Sequence, residues 1–439
     1  MKINQFLLLG IISLLLLGSS CFVIQNKFDS LAPGYWRAIL KLDPENPEAY
    51  QTEKGVPLRV EELVEGDLPF IFELVYDNEK DFHLEIINGE ERIKVTDITI
   101  GRDRVRGQDT IVIKFPFYDS YVKGIYEENL IEGKWYVPNR GDYNIPFRAK
   151  HGQKQRFSSL KKTPKIDLTG KWETTFSVDT DEPYPAIGEF KQDGNHISGT
   201  FLTETGDYRF LEGTIQANKI YLSCFDGAHA FLFEAKILDD ETLIGSFRSG
   251  SHYRTTWSAK KNPKVTLADP DSLTYLKEGY SKLEFSFPNT EGKMVSLTDE
   301  VYEGKVKIVQ IFGTWCPNCK DETSFLAQYL KDNPTEDLKL IALAFEKYKG
   351  QEKALATLKN YKTTFGVDYE MLLAGYYDKA EAAKSLPMLN HILSYPTMIF
   401  IDKKGEIRRI HTGFSGPATS TYPAFKKDFE QFVATLLAE

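Results

Sequence analysis

Two hydrophobic patterns follow one another along the 439-residue chain, and their order limits the folds that it can adopt. Between about residues 34 and 259, short runs of alternating β-branched and aromatic residues are interrupted by Asn, Gly or Asp about every 8 to 12 positions. This spacing is typical of antiparallel sandwiches and barrels. After a proline-containing linker at residues 262–272, helical and strand patterns alternate, which indicates an α/β domain with a central sheet. The sequence therefore predicts antiparallel β units followed by an α/β domain.

The first pattern contains an internal repeat. The matched pairs are GYWRAIL (34–40) with GKWETTF (170–176), LPFIFELVYDNE (68–79) with YPAIGEFKQDGN (184–195), and NLIEGKWYV (129–137) with TLIGSFRSG (242–250). Each copy divides into about eight candidate strands, the number at which a closed meander fills its interior with side chains or holds one small ligand. We therefore predict two successive β-barrel-like units of lipocalin-like or avidin-like type, at residues 33–152 and 166–262.

The β units carry no motif that identifies a ligand. LTGKW followed by SGTF resembles the opening of avidin-type barrels, but only in the residues that start a strand. Trp36 and Trp172 are interpreted as plugs at the ends of the barrels, with contact to a bound small molecule as the alternative. Cys224, Asp226 and His229, in CFDGAH, are interpreted as part of a tight hairpin turn rather than as a metal site.

The first 24 residues have the order of an export signal. Lys2 precedes an apolar run at residues 6–17, and small residues precede Cys21. LGSSC resembles a bacterial lipoprotein cleavage site with Cys21 as the lipidated residue. In the alternative, residues 6–24 form an uncleaved anchor, because their length approaches the ~20 residues that span a bilayer. Either form would tether the protein to a membrane of the bacterial envelope, in the periplasm or at the outer face, whereas an ordinary cleaved signal would release it.

The charge balance argues against nucleic acid as a partner. The chain has 63 acidic and 54 basic residues, a formal net charge of −9, and its basic residues are dispersed among the acids. A nucleic-acid-binding surface would need clustered Lys and Arg. We therefore expect no nucleic-acid partner.

Four cysteines must be explained in a chain that is expected to be exported. Cys21 belongs to the leader and Cys224 is isolated, which leaves Cys316 and Cys319 in FGTWCPNCKDE. A structural zinc site would need four ligands, and the sequence has neither a second CxxC nor an HxxxH motif. The sequence therefore predicts no metal and no cofactor, and redox chemistry at the CxxC pair is the favoured interpretation.

Cys316 lies where a predicted buried strand, KVKIVQIF, ends and a predicted helix begins. Unsatisfied N–H groups and the positive end of the helix dipole would favour its thiolate, so Cys316 is the expected nucleophile. Cys319, one turn deeper, would resolve the mixed disulfide. Pro317 removes one N–H donor and pre-organises the turn, while Asn318 can form local hydrogen bonds.

Further strands and helices are predicted around this junction. The strands are expected at 305–312, 338–346, 396–402 and 406–414, and the helices at 317–333, 351–365, 378–386 and 424–439.

This arrangement resembles the TlpA-like and ResA-like thioredoxin-fold thiol-disulfide reductases of the bacterial cell envelope. The resemblance rests on WCPNC after a strand, SYPT about 80 residues later and VSLTDE after FPNTEGK, and it covers about 155 residues. It implies a thioredoxin-like domain at residues 275–439, with an inserted helical segment around residues 350–390. It also implies a disulfide-bearing protein as the substrate and a membrane protein as the electron donor.

The resemblance also assigns roles to individual residues. By match, Tyr395 and a cis Pro396 lie beside the active cysteines, where a cis bond exposes a backbone edge for docking the substrate strand. An acid at the end of the strand that follows the first helix matches Glu346, which would accept the proton of Cys319. Trp315 would shield the disulfide.

Two other functions stay open at this point. The FSFPNTEGKMVSL segment is shared with peroxiredoxin-like domains, so a thiol peroxidase is one alternative. A peroxidatic cysteine has Thr or Ser three residues before it, and that position is Gly313, with Thr314 one place late. The other alternative is a surface protein whose β units bind a ligand or partner. We favour an envelope thiol-disulfide oxidoreductase that reduces protein disulfides through the Cys316/Cys319 couple.

Overall fold

The structure is a computed structural model that describes residues 31–43, 63, 65–239 and 241–439. The expected leader at residues 1–24, with its lipidation candidate Cys21, lies outside the described residues. Within the described ranges, no helix combines the length and the apolar character needed to cross a bilayer.

The first β unit is an open sheet of nine antiparallel strands. Its strands are β1 (Gly34–Lys41), β2 (Asp67–Tyr76), β3 (Phe82–Asn88), β4 (Glu91–Val95), β5 (Ile98–Asp103), β6 (Gln108–Lys114), β7 (Tyr121–Glu127), β8 (Leu130–Tyr136) and β9 (Asn144–His151). The strand order is β4-β3-β2-β1-β9-β8-β7-β6-β5, and a short 3-10 turn at Pro138–Arg140 precedes β9.

The expected antiparallel β-barrel-like unit is confirmed, in the form of an open half-barrel rather than a closed one. Strands β4 and β5 follow one another in the chain, yet they form the two opposite edges of the described sheet. Both edge strands expose alternate side chains, among them the charged Arg92, Lys94 and Arg102. Charged side chains on an edge discourage pairing with another strand, which explains why an open sheet is tolerated here.

The second β unit closes into a barrel, as predicted. Its strands are β10 (Gly170–Phe176), β11 (Tyr184–Asp193), β12 (His196–Thr203), β13 (Gly206–Asp207), β14 (Leu211–Gln216), β15 (Lys219–Phe225), β16 (Ala230–Ile237), β17 (Leu243–Ser249) and β18 (Tyr253–Lys261). Closure follows because β11 pairs with both β10 and β12, while the two-residue β13 only extends the hairpin after β12. Aromatic side chains form the core of this barrel, including Trp172, Phe176, Phe201, Phe233 and Phe247.

The repeated segments occupy equivalent places in the two units. The three matched pairs fall on β1 and β10, on β2 and β11, and on β8 and β17. The indole nitrogen of Trp36 donates to the Ala32 carbonyl at 2.9 Å, and that of Trp172 donates to the Leu168 carbonyl at 2.8 Å. Both indoles are fully buried, so each satisfies its one donor four residues upstream and serves as a packing element.

The third unit is the predicted α/β domain. Its strands are β19 (Ser286–Pro288), β20 (Met294–Ser296), β21 (Val306–Phe312), β22 (Leu338–Glu346), β23 (Glu370–Tyr376), β24 (Thr397–Ile401) and β25 (Ile407–Thr412). Its helices are α1 (Pro270–Leu273), α2 (Pro317–Asp332), α3 (Gln351–Phe365), α4 (Lys379–Ser385) and α5 (Tyr422–Ala438), with a 3-10 turn at Glu300–Tyr302. The main sheet has the order β23-β22-β21-β24-β25, in which β21 to β23 are parallel and β24 and β25 are antiparallel.

An inserted helical segment was expected at 350–390, and this expectation was partly wrong. The segment contains helices α3 and α4, but strand β23 lies between them. The sequence of this strand, EMLLAGY, is rich in residues that favour helices. Parallel pairing with β22 overrides that preference, since it supplies the backbone hydrogen bonds and buries Met371 and Leu372.

The three units meet around the loop that joins β6 to β7, residues 115–120. The ring of Phe117 packs 4.7 Å from that of Phe365 in α3, and Asp119 accepts a hydrogen bond from the Tyr348 hydroxyl. On the other side, the Ser120 hydroxyl donates to the Gly227 carbonyl of the barrel. This loop of the first unit therefore contacts both of the others.

Candidate active site

Cys316 lies at the junction between β21 and α2, where its sulfur meets the start of a helix. Every residue of β21 is buried, and α2 begins at Pro317. The Cys319 N–H points at Cys316 Sγ from 3.2 Å, as a helix N-terminus does for an anionic cap. A disulfide joins Cys316 to Cys319, with their Cα atoms 5.2 Å apart. Cys316 is 6% exposed and Cys319 is 0% exposed. Of the two sulfurs, therefore, only that of Cys316 can be reached by another molecule.

Trp315 forms one wall beside this disulfide. Its indole N–H donates to the Phe345 carbonyl at 2.9 Å, which fixes the ring. The edges of Tyr377 and Tyr395 meet it at centroid distances of 5.5 and 5.6 Å. Lys347 Nζ lies 4.5 Å from the ring centre, and burial lowers the pKa of this ammonium to about 8.

Tyr395 and Pro396 form the opposite side. The peptide bond between them is cis, and the Tyr395 carbonyl oxygen lies 3.3 Å from Cys316 Sγ. The Tyr395 hydroxyl donates to the Tyr377 carbonyl at 3.0 Å, which anchors the ring. The structure thus brings the residues matched by resemblance into contact with the expected nucleophile.

Glu346 ends β22 and is fully buried behind the loop that carries the cysteine. Its carboxylate accepts from the Thr314 N–H at 3.0 Å and from the Thr314 hydroxyl at 2.8 Å. Burial is the main cause that raises the pKa of Glu346 to about 7. The structure thus places the Glu346 carboxyl group against Thr314, which lies two residues before Cys316 in the chain. The expected role of Glu346 as proton acceptor for Cys319 stays a prediction.

A second buried acid, Glu322, was not predicted from the sequence. It lies one turn after Cys319 on α2, is 0% exposed, and accepts from Gln310 Nε2 at 2.8 Å. Its other oxygen has no hydrogen-bond partner among the described residues. Burial raises the pKa of Glu322 to about 8. The signal in the sequence was its i+3 spacing from both Cys319 and Phe325, which places an acid on the buried face of the helix.

Replacing Glu322 by glutamine should change how stability depends on pH. The folded-state pKa of about 8 exceeds the ordinary 4.5, so between these pH values the folded protein retains a proton that the unfolded chain has lost. The contribution of this group to the free energy of unfolding of the wild type therefore falls as pH rises from 4.5 to 8, by on the order of 5 kcal/mol in all. Urea unfolding at pH 5 and pH 9 should show the Glu322→Gln variant gaining stability relative to wild type at the higher pH.

The exposed Glu300→Gln is the matched control, and it should run parallel to wild type at both pH values. In the same urea-unfolding comparison, Glu346→Gln should gain stability relative to wild type as pH rises from 4.5 to 7. A Glu322→Gln curve that stays parallel to wild type would contradict the raised pKa.

The barrel supplies a further border of the site. A hairpin of the second β unit, residues 203–208, lies over α2: Asn318 Nδ2 donates to the Asp207 carbonyl at 3.1 Å. The Ser394 hydroxyl, one residue before Tyr395, donates to the Thr205 carbonyl at 2.7 Å. Between the two units remains a cleft of about 270 Å³ in front of Cys316. Sequence patterns do not predict this contact, because it depends on how two units dock.

The CFDGAH segment forms the hairpin turn that was expected between β15 and β16. Asp226 Oδ1 accepts from the N–H groups of Ala228 and His229 at 2.8 and 2.6 Å. Cys224, just before this turn, is buried and free. Its location in the barrel core assigns it to packing.

Comparisons with known proteins find relatives of the α/β part of the chain. The AhpC/TSA family model matches residues 279–410. "Thioredoxin-like protein YneN" of Bacillus subtilis (strain 168) is 27% identical over 138 residues, which are 31% of this chain and 73% of that protein. "Thiol-disulfide oxidoreductase ResA" of the same organism is 25% identical over 138 residues, 31% and 69% of the two chains. "Thiol:disulfide interchange protein DsbE" of Allochromatium vinosum is 26% identical over 84 residues, 19% and 44%.

Among solved structures, a thiol:disulfide interchange protein of the thioredoxin family from Chlorobium tepidum covers 37% of this chain and 98% of its own, at 24% identity and a TM-score of 0.28. The family match gives the α/β part of the chain as a thioredoxin-like domain of AhpC/TSA type. The lipocalin-like or avidin-like character of the two β units stays a prediction.

Proposed function

We propose that the protein is a bacterial, extracytoplasmic thiol-disulfide oxidoreductase that reduces disulfides in other proteins. One observation carries the proposal: the Cys316–Cys319 disulfide lies at a helix N-terminus and beside the Tyr395 carbonyl, with Cys316 slightly exposed and Cys319 fully buried. The relatives named as thiol-disulfide oxidoreductases support the same chemistry.

The reaction starts from the reduced dithiol. The Cys316 thiolate, stabilised by the Cys319 N–H, attacks one sulfur of a substrate disulfide, and the other substrate sulfur leaves as a thiolate that takes up a proton. The Cys319 thiol then loses its proton and attacks Cys316 Sγ. The mixed disulfide breaks, the second substrate thiol is released, and two electrons have moved from the protein to the substrate.

Of the two buried acids, Glu346 is the better candidate for this proton transfer. A general base works best when its pKa lies near the working pH. Glu346, with a pKa of about 7, is partly ionised at neutral pH and is our candidate for taking the proton of Cys319. Glu322, with a pKa of about 8, is mostly protonated there, and its carboxyl group accepts from Gln310 rather than from either cysteine, so we assign it no step.

The cell envelope is the proposed location. Lipidation of Cys21 or an N-terminal anchor would tether the chain, and a membrane thiol-disulfide protein would return electrons to Cys316 and Cys319. We propose the domain division 33–152, 166–262 and 275–439 for this tethered protein, in which the two β units lie between the leader and the redox domain along the chain.

The geometry favours the reductase over its rivals. The Thr314 hydroxyl donates to Glu346 and is thereby engaged away from a role in orienting peroxide at Cys316. In the barrel, aromatic rings occupy the core in which a lipocalin-like ligand would lie. Both observations support disulfide exchange at the third unit as the main activity.

An assay on the full-length chain separates these functions. With dithiothreitol as reductant, the protein should accelerate the precipitation of insulin chains, while its consumption of hydrogen peroxide stays near the rate of free thiols. Fast peroxide consumption with no insulin reduction would overturn the proposal. The reduction potential of the couple gives the direction of electron flow: about −270 mV indicates a reductase and about −120 mV an oxidant.

A further inference from the structure

We infer that the barrel hairpin, residues 203–208, selects the substrate of Cys316, and that the selected disulfide is carried on an extended, flexible polypeptide segment rather than on the face of a folded domain. The inference rests on the proposed function and adds the class of substrate to it. It assigns to the barrel a direct part in the reaction, as the second wall of the active-site cleft.

The hairpin is attached on both sides of the nucleophile. On one side it accepts from Asn318, which lies between the two cysteines. On the other side it accepts from Ser394, next to Tyr395. The Gly416 N–H donates to Asp207 Oδ2 at 2.6 Å and adds a third attachment. Any substrate that reaches Cys316 must therefore pass beside the hairpin.

Buried contacts fix the position of the hairpin. The Arg209 N–H donates to Asp207 Oδ1 at 2.7 Å, and the Arg209 guanidinium pairs with Asp321 of α2. The contact at Gly206 is so close that a Cβ atom there would lie 2.2 Å from Asn318 Nδ2. The hairpin is thus held against the redox domain, where it forms one wall of the cleft in front of Cys316.

The remaining cleft is small and is lined by both units. Tyr208 and Phe231 face it from the barrel, and Trp315 and Leu393 face it from the redox domain. Its volume of about 270 Å³ lies just below the ~300 Å³ at which pockets for drug-sized ligands begin. A cavity of this volume takes the side chains of a short extended segment, whereas the face of a folded domain would meet the hairpin before its sulfur reached Cys316, which is only 6% exposed.

One polar atom in the cleft suits a peptide. Asn318 Oδ1 is buried and has no hydrogen-bond partner among the described residues, while its Nδ2 is held by the hairpin. Because the amide is fixed in this way, Oδ1 is available to accept a backbone N–H from an extended segment. Asn318 is thus a candidate positioning residue for substrate.

The test compares two carriers of the same leaving group. A cysteine in a short linear peptide and a surface cysteine of a small folded domain are each converted to the mixed disulfide with 2-nitro-5-thiobenzoate. The reduced full-length protein is the only reductant: Cys316 attacks the carrier sulfur and expels coloured thionitrobenzoate, and Cys319 then releases the carrier thiol. Rates are normalised to those with dithiothreitol, which removes differences in intrinsic reactivity.

We expect the wild type to react with the peptide carrier at least about tenfold faster than with the folded carrier. Gly206→Val should lower this ratio to below about threefold, because the added side chain displaces the hairpin from Asn318. Gly194→Val is the matched control: this glycine also has a positive φ, +58°, in a turn of the barrel, but a Cβ there meets nothing within 4 Å. It should keep the wild-type ratio.

A second variant guards against misfolding of the first. Ser394→Ala removes one attachment of the hairpin without adding atoms, and it should lower the ratio by a smaller factor. Equal rates for both carriers in the wild type, or a ratio unchanged in both variants, would overturn the inference. So would reaction with the free symmetrical dithiobis-nitrobenzoate alone, which would restrict the cleft to small disulfides. Reaction that persists in Cys316→Ser would instead refute the proposed function.

Discussion

Replacing Cys316 by serine should lower disulfide reduction by at least about a thousandfold, because the nucleophile that forms the mixed disulfide is lost. Replacing Cys319 by serine should also stop turnover, but by a different route. Cys316, which is the more exposed of the pair, can still attack a substrate, and the resulting mixed disulfide then has no resolving thiol. The two variants should therefore be equally inactive in insulin reduction and differ in what accumulates.

Non-reducing electrophoresis and mass spectrometry after mixing with a disulfide substrate distinguish these outcomes. Cys319→Ser should carry one substrate adduct per chain, and Cys316→Ser none. Cys224→Ala is the control, because that thiol is fully buried in the barrel core, and it should retain wild-type turnover. Adduct formation by Cys316→Ser would reverse the proposed division of labour between the two cysteines.

The chemistry of this pair was predictable because its causes are local. Seven consecutive buried residues in β21, a proline at the first helical position and cysteines at i and i+3 lie within one short segment. Strand burial, the start of a helix and the exposure of the two sulfurs follow from such a segment with few long-range contacts. Tyr395 and Pro396 lie far along the chain, and resemblance rather than local pattern brought them to the site.

The two acids show where sequence reasoning lost precision. Glu346 and Glu322 are both fully buried, yet only Glu346 was expected to matter. In a sequence, an acid on a helix is interpreted as a solvent-exposed charge unless the buried face of that helix is known. That face is set by packing of α2 against the sheet, where Gln310 lies opposite Glu322. Burial in this case is a tertiary property, and it is what raises the pKa.

Three other features could not be predicted from the sequence, because they too depend on tertiary contacts. The open edge of the first sheet, the strand β23 and the hairpin over Cys316 each depend on partners distant in the chain. Asp207 and Arg209 look like ordinary polar residues of a β turn, and only docking turns them into buried groups. Periodicity identifies which residues face a core, but it does not identify which surfaces of separate units meet.

Replacing Arg209 by methionine should destabilise the protein by about 3–5 kcal/mol, the cost of leaving buried charges without their partner. The Arg209 side chain is 1% exposed and lies among carboxylates from all three units. It donates to Glu91 of the first unit at 2.5 Å, lies 3.6 Å from Asp226 of the barrel, and pairs with Asp321 of α2. Methionine fills a similar volume but leaves these three acids facing one another.

The dependence on pH identifies the cause. Although burial acts in the opposite direction, the neighbouring His229 and Arg209 hold the pKa of Asp226 well below its ordinary value in the wild type. Without Arg209, the clustered carboxyl groups should bind protons more readily in the folded state, so their folded pKa values rise above those of the unfolded chain. The stability of the variant then falls as pH rises, and its deficit relative to wild type should be larger at pH 8 than at pH 5.

Urea unfolding followed by circular dichroism measures both quantities. Arg102→Met is the matched control, because Arg102 pairs with Asp109 at 2.8 Å on the surface, with both side chains more than one third exposed. Arg102→Met should lower the free energy of unfolding by less than about 1 kcal/mol at either pH. If Arg209→Met unfolded at the wild-type urea concentration, water would have to reach the three carboxylates, and the guanidinium would not be what joins the units. A deficit that does not change with pH would instead indicate lost packing, because only unpaired carboxylates can be relieved by protons.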